Sequence, residues 1–305
     1  MKISGFSYVR NGIEYDYPFL ESIQSILPIC DEFIMVLGDS TDSSKEAILN
    51  LGSNKIKIID TVWDMNNRTG GKVFAQQANV GLDHITGDWA IHIQADEVVH
   101  ENDLPKIVEA IKRYDSDPEV EGLLQPFMHF WGSYDYVRTS RKVHKHEIRI
   151  LRNKQFIRSF RDSQGFRKYS GLAGYEAGEK GEKLHVKKID APVYHYNGVR
   201  RNEVQDKKIH TFVSMYTPEM AVSKESYASF NFNDVDRLEK FPGSHPAVMH
   251  NRIASFDQPF TFDPKKSKWR TKDKIMQPIE DLLGIRFGEY KNYKLLKQIK
   301  PVTNR

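Results

Sequence analysis

The chain has 305 residues, 39% hydrophobic and 28% charged, the proportions of a globular protein that buries a substantial core as one large domain or as a domain with an appended lobe. No run reaches the roughly 18 apolar residues of a membrane span, MKISGFSYVRNG lacks a signal peptide's apolar core, and the single Cys30 excludes an internal disulfide and a cysteine-only zinc site. The net charge of +4 hides an asymmetry: residues 1–130 hold 10 basic and 21 acidic side chains (−11), and residues 131–305 hold 35 and 20 (+15). We therefore expect a cytoplasmic protein whose second half meets anionic groups, with peripheral contact at the inner face of an anionic membrane as one outcome.

The elements follow in alternation. Ile3–Tyr8 reads as a strand and Pro18–Leu27 as a helix, with Phe19, Ile23 and Ile26 on one face. Phe33–Leu37 is a second buried strand, followed by the turn GDSTD at 38–42. Ser43 and Glu46 have the spacing of a capping box for a helix through Leu51. Lys55–Ile59 reads as a strand, Val73–Ile85 as a helix and Trp89–Gln94 as a buried strand broken only by His92. Asp103–Tyr114 is a helix and Gly122–Phe130 a strand. Strands alternating with helices imply a mostly parallel sheet covered on both faces.

Beyond Phe130 the pattern loosens, and we place a boundary there, between residues 1–130 and 131–305. HKHEIRIL (144–151) reads as an edge strand, and Gly171–Lys183 as a loop rich in Gly, Glu and Lys. Pro192–Tyr196 reads as a strand and Glu203–Tyr216 as a helix. A short helix is expected near Ile279–Leu283 and a basic one near Tyr290–Ile299.

Three features stand in order: the turn GDSTD at 38–42, the helix with AQQANVGLDHITGDW at 75–89, and the strand end IQADE at 93–97. This order resembles family 2 glycosyltransferases of the GT-A fold, with a Rossmann-like, mostly parallel sheet flanked by helices. Asn79-Val80-Gly81 and Gly87-Asp88-Trp89 carry the likeness, which covers about the first 100 residues. Two departures stand out. Leu37-Gly38-Asp39 replaces a pair of adjacent acids, and Gln94-Ala95-Asp96 replaces an Asp-x-Asp. Gln94 offers a ribose hydroxyl an amide but brings no charge to a metal.

The resemblance implies an inverting transfer of a sugar from a nucleotide-diphosphate sugar to a hydroxyl on a glycan or lipid-linked acceptor. It also implies a divalent cation, Mn or Mg. Asp96 and His195, in APVYHYNGVRR, are the expected metal ligands, with Glu97 as a helper. The second half is expected to form an acceptor-side extension ending in a helical tail. Whatever the family, such chemistry needs positive charge on the departing diphosphate and a carboxylate to take the acceptor's proton. For the base the choice is Asp162, in RSFRDSQGFRK, kept ionised by Arg161 and Arg167, with Glu147 and Glu176 in reserve. Donor contacts are expected from Ser7, Asn11, Asp39, Arg68, Lys72, Asn79, Gln94, Asp96 and Arg200, with Arg201 beside the last closing over the diphosphate. SHPAVMHNRI (244–253) suggests packing or acceptor binding. The rival reading is a non-catalytic protein on a degenerate donor fold, binding nucleotide-sugar, glycan or nucleic acid; for the enzyme, no nucleic acid partner is expected.

Overall fold

A computed structural model of the protein describes residues 1–67, 69–154, 156–216 and 230–297. The strands are β1 (Ile3–Val9), β2 (Glu32–Leu37), β3 (Ile56–Asp60), β4 (Trp89–His92), β5 (Glu97–Val99), β6 (Gly122–Trp131), β7 (Ser133–Arg138), β8 (His146–Arg152), β9 (Ile157–Ser159), β10 (Phe166–Lys168), β11 (Glu182–Lys188), β12 (Val193–Gly198), β13 (Leu238–Lys240) and β14 (Tyr293–Leu295). The helices are α1 (Phe19–Ile26), α2 (Ser44–Leu49), α3 (Lys72–His84), α4 (Leu104–Tyr114), α5 (Leu172–Glu176), α6 (Asn202–Tyr216), α7 (His250–Ala254) and α8 (Thr271–Leu283).

The sheet runs β3-β2-β1-β4-β8-β6-β11-β10-β9. The first four strands are parallel, and β8 lies antiparallel between β4 and β6. Period-two alternation explains why both faces are covered. Phe33, Met35 and Leu37 join Phe19, Ile23 and Ile107 in one core, while Ile34 and Val36 join Phe6, Ala78 and Leu82 in the other. Gly81 lets α3 sit directly on β1, since a Cβ there would lie 2.7 Å from the Phe6 ring. Gly87 permits a similar approach to the backbone at Lys2 and Ser4, both 2.8 Å from such a Cβ. The motif glycines are therefore packing residues.

The chain order departs from β1 in one direction through β2 and β3, then returns to its other side with β4. Ligands in open α/β sheets bind at such a switch, beyond the carboxyl ends of the strands. Strand β6 leaves this sheet along its length, pairing first with β8 and β11, then with β12 and β7. Strand β12 pairs antiparallel with β5, which brings His195 opposite Glu97.

Several expectations are corrected. Strand β8 is interior rather than an edge, because Ile148, Ile150 and Leu151 are all buried and the charge of Arg149 is met by Glu97. Ser43 forms no cap on α2; the amide of Ser44 instead donates to Asp42 Oδ1 at 3.0 Å. The segment 171–183 contains α5 and the start of β11. The basic tail forms no helix within 290–297: Tyr293–Leu295 pairs in parallel with β11 and Tyr293 packs on the second core, while residues 298–305 lie outside the described residues. The short helix expected near 279 begins at Thr271. No helix among the described residues is long and apolar enough to cross a membrane.

Candidate active site

A cavity of about 250 Å³ opens at the switch between β1 and β4. Tyr8, Val9 and Arg10 reach it from the end of β1, and Gln94 to Glu97 from the turn after β4. Asp162, His195, Asn197 and Lys208 also line it, together with an aromatic wall that includes Tyr15, Tyr17, Trp63 and Phe74.

At its base His195 Nε2 lies 3.6 Å from Asp96 Oδ1. The protons on the histidines can be assigned from their partners. His129 Nε2 is 2.8 Å from the carbonyl oxygen of His144, so it carries the hydrogen. In a neutral ring His129 Nδ1 is then an acceptor, and His195 Nδ1, 2.9 Å away, must donate to it. The lone pair of His195 therefore sits on Nε2, facing the Asp96 carboxylate. Both rings are neutral near pH 7, since burial pulls the pKa of His195 to about 4, against the pull of Asp96, and that of His129 to about 3.

Asp96 stays ionised. Burial raises its pKa, but with His195 neutral the cations Lys208 and Arg200 more than offset this and hold it below the usual range. Lys208 Nζ lies 3.7 Å from Asp96 Oδ2, donates to Asn197 Oδ1 and sits 4.7 Å from the centre of the Tyr17 ring. Arg200 is fully buried, donates to the Tyr15 carbonyl at 3.1 Å and lies over Tyr17 at 4.9 Å. The sequence reading overlooked Lys208, which follows the Val-Arg-Arg segment by one helical stretch and was indistinguishable from exposed lysines.

Glu97 does not help with a metal, because both its oxygens are committed to Arg149 at 2.6 and 2.8 Å. Asp96 and His195 do fit one. Two neighbouring ligands bonded at about 2.1 Å stand roughly 3.0–3.4 Å apart, close to the observed spacing. A ligand histidine whose other nitrogen is fixed by a hydrogen bond is the usual second layer of such a site. Among the described residues no group of three His, Cys, Asp or Glu side chains converges for a metal, so the protein offers two ligands there.

Asp162 sits at the tip of the turn between β9 and β10, flanked by Arg161 (φ 55°) and Ser163 (φ 66°). Non-glycine residues with positive φ cost of order 1–3 kcal/mol each and collect at functional sites. The two arginines expected to accompany Asp162 have other contacts of their own. Arg167 is buried against Asn292 and Tyr290 and lies 3.8 Å over the Phe160 ring, and Arg161 lies over Phe160 and Tyr290.

Several residues expected to meet the donor make contacts within the fold. Asn79 Oδ1 accepts from the Ser159 amide and its Nδ2 donates to Tyr175, both at 2.8 Å, tying α3 to β9 and α5. Asn11 Oδ1 accepts from the Thr41 amide at 2.8 Å and so joins the two loops after β1 and β2. Asp39 accepts two bonds from Arg10 and one from the Trp63 amide, which sets both of those cavity residues in place. Burial raises its pKa, but the Trp63 amide and Arg10 more than offset this and lower it. Ser7 is buried, and Lys72 is exposed at the start of α3. None of these five lines the cavity, and neither does Arg200. Arg68 lies outside the described residues. Gln94 lines the cavity, with Nε2 3.5 Å from the Ser163 carbonyl. Of the reserves, Glu147 is half-buried on β8, beside Gly165, and Glu176 is exposed, away from the cavity. Arg201 pairs with Asp257 at 3.2 Å on the surface.

The 244–253 segment also gains a structural account. His245 Nε2 donates to the Tyr134 carbonyl (3.0 Å), and its Nδ1 meets the Tyr196 hydroxyl (2.9 Å). Arg252 holds Glu21 at 2.9 Å, Asp16, and the Tyr17 carbonyl at 3.2 Å, which fixes the loop carrying the Tyr15 and Tyr17 walls.

The family description "Glycosyl transferase family 2" matches residues 17–171, half of the chain. The chain belongs to glycosyl transferase family 2. This family 2 chain is also similar in structure to S. aureus TarS 1–349 (15% identity, TM-score 0.38, covering 70% of this chain and 65% of that one). Glucosyl-3-phosphoglycerate synthase from Mycobacterium tuberculosis, solved with Mn2+, UDP and phosphoglyceric acid, is similar at 11% identity and a TM-score of 0.36, covering 70% and 78%. The mannosyltransferase PcManGT from Pyrobaculum calidifontis, with GDP-Man and Mn2+, is similar at 19% and 0.31, covering 40% and 34%. The chain thus spans less than two thirds of the TarS fragment's length. No curated protein matches it.

Proposed function

We propose that this protein transfers a sugar, with inversion, from a nucleotide-diphosphate sugar to a hydroxyl on a glycan or lipid-linked acceptor. The observation that carries the reading is one cavity at the β1/β4 switch that gathers an aromatic wall, the Asp96–His195 pair, buried Lys208 and Asp162. Residues 1–130 supply the donor side and residues 131–305 the acceptor side, with a peripheral contact between the basic second half and an anionic membrane surface in the cytoplasm.

The aromatic wall accepts the flat nucleobase, and Gln94 is placed to hydrogen-bond a sugar hydroxyl. Asp96 and His195 would hold Mn or Mg, a site with few protein ligands. When bound, such an ion neutralises charge on the departing diphosphate. Lys208, its ammonium destabilised by burial and by the neighbouring Arg200, gains when an anion arrives and so favours the diphosphate product. Asp162 accepts the proton of the acceptor hydroxyl as it attacks.

A second reading is favoured by the two-ligand foothold and the buried cations. Lys208 and Arg200 supply the charge themselves, and Asp96 serves to orient Lys208. Hydrolysis of UDP-, GDP-, CDP- and dTDP-sugars, each with manganese and with chelator, tests both. Turnover of one nucleotide class that needs manganese supports the first reading, and turnover that survives chelation supports the second. No turnover and no binding of any donor would overturn the transferase assignment of this site.

A further inference from the structure

Helix α8 is turned inside out. Its polar residues Gln277 and Glu280 are buried, whereas Ile275, Ile279, Leu282 and Leu283, which share the opposite face at spacings of four, three and one, are exposed by 39–85%. The inward grip is polar. Gln277 Oε1 accepts from the Arg141 amide at 2.8 Å, and Glu280 meets Arg286 at 2.6 Å and Lys145 at 3.1 Å. Amphipathic helices of globular proteins normally bury the apolar stripe. Beyond Gly284, Ile285 and Phe287 are exposed on either side of the inward-turned Arg286, extending the apolar surface.

The surroundings of this stripe are basic. Lys265, Lys266, Lys268, Arg270, Lys272 and Lys274 are all exposed, with Asp273 the single acid among residues 265–275. Lys272 lies on the apolar face itself, one turn before Ile275. An apolar helix face led in by a run of exposed lysines suits an anionic bilayer surface, where the stripe enters the acyl boundary and the lysines meet headgroup phosphates. A protein partner or a second copy would have to meet this concentration of positive charge with an acidic surface.

We infer that the outward face of α8, with Ile285 and Phe287, is a docking surface for anionic lipid. It deepens the membrane part of the proposed function and rests on that part alone; sugar transfer can fail independently.

Flotation of the full chain with vesicles of phosphatidylcholine alone, and of phosphatidylcholine mixed with phosphatidylglycerol, tests it. Binding to the anionic vesicles is expected, weakened by salt, with little to the neutral ones. A Leu282→Ser/Leu283→Ser variant should lower partitioning at least about tenfold, and Lys265→Glu/Lys272→Glu, which leaves the Lys268–Asp234 pair intact, should lower it and flatten its salt dependence. These side chains are exposed, so both variants should melt with the wild type and hydrolyse donor in solution at its rate. Equal binding to neutral vesicles, full binding by the leucine variant, or no binding by the wild type would overturn the inference. So would a wild-type dimer that the leucine variant converts to monomer, which would show a second copy on this face.

Discussion

The Asp96 carboxylate and the bare Nε2 of His195 face each other at 3.6 Å, two acceptors with no hydrogen of their own to share. Such a pair is poised for a cation, and Asp96 brings its only negative charge. Asp96→Asn should lower donor turnover at least about 100-fold while the melting temperature changes little, because the amide keeps the shape. Gln94→Ala should act mainly on nucleotide affinity. Turnover of Asp96→Asn at the wild-type rate would remove Asp96 from the chemistry.

The tautomer of His195 depends on a neighbour outside the cavity lining. His129→Phe keeps the ring volume but removes the acceptor for His195 Nδ1–H, so the proton is free to move to Nε2. Support of this kind is typically worth 10–100-fold in metal affinity. Manganese titration by calorimetry should show a loss of that size, with nucleotide affinity in chelator unchanged. A structural role alone would instead lower thermal stability and leave manganese affinity intact.

The parallel half of the fold was legible because its signals are local. Period-two alternation in Phe33–Leu37 and the apolar run at Trp89 each dictate a doubly covered strand whatever the rest of the chain does. Legibility failed where a partner distant in sequence decides. Strand β8 looked like an edge because Glu147 and Arg149 are charged, but Glu97, 52 residues before Arg149, neutralises it in the interior. Asp96, Gln94, His195 and Asp162, expected from strand-end positions together with the family resemblance, line one cavity. Lys208 and His129 were missed because nothing in a lone lysine or histidine records which way its helix or strand will face. The motif position of Asn79 likewise does not reveal that its side chain fastens β9 and α5 to α3.

Glu147 gives a stability test with a definite sign. It lies on β8 beside Gly165, with Arg149, Glu97, Asp162 and Tyr293 as its charged or titratable neighbours. Burial, only partly countered by Arg149, pushes its pKa up to about 7 from 4.5, and Glu97 and Asp162 push the same way. The folded protein therefore holds this proton more tightly than the unfolded chain, and stability falls as pH rises from about 4.5 through 7. Glu147→Gln removes the penalty. Its melting temperature should exceed the wild type's above pH 8, by the equivalent of about 1–2 kcal/mol after allowing for partial exposure. The advantage should fade to nothing near pH 4. An advantage constant across that range would mean that the charge of Glu147 is not what costs stability.

The proton acceptor is the most demanding assignment. Asp162 is presented to the cavity by a turn whose two neighbours carry positive φ, an arrangement that general packing does not require. If it takes the acceptor's proton, Asp162→Asn should lose transfer by about 10²–10⁴-fold, the usual contribution of a general base. Donor affinity measured by calorimetry should hardly move, because the amide preserves the shape and part of the hydrogen bonding. Hydrolysis of the donor by water should fall less than transfer does, since water enters without a fixed orientation. Transfer at near wild-type rate would reduce Asp162 to a turn residue. Glu147, whose pKa of about 7 suits proton exchange near neutrality and which lies close enough to feel the charge of Asp162, would then be the carboxylate to replace next.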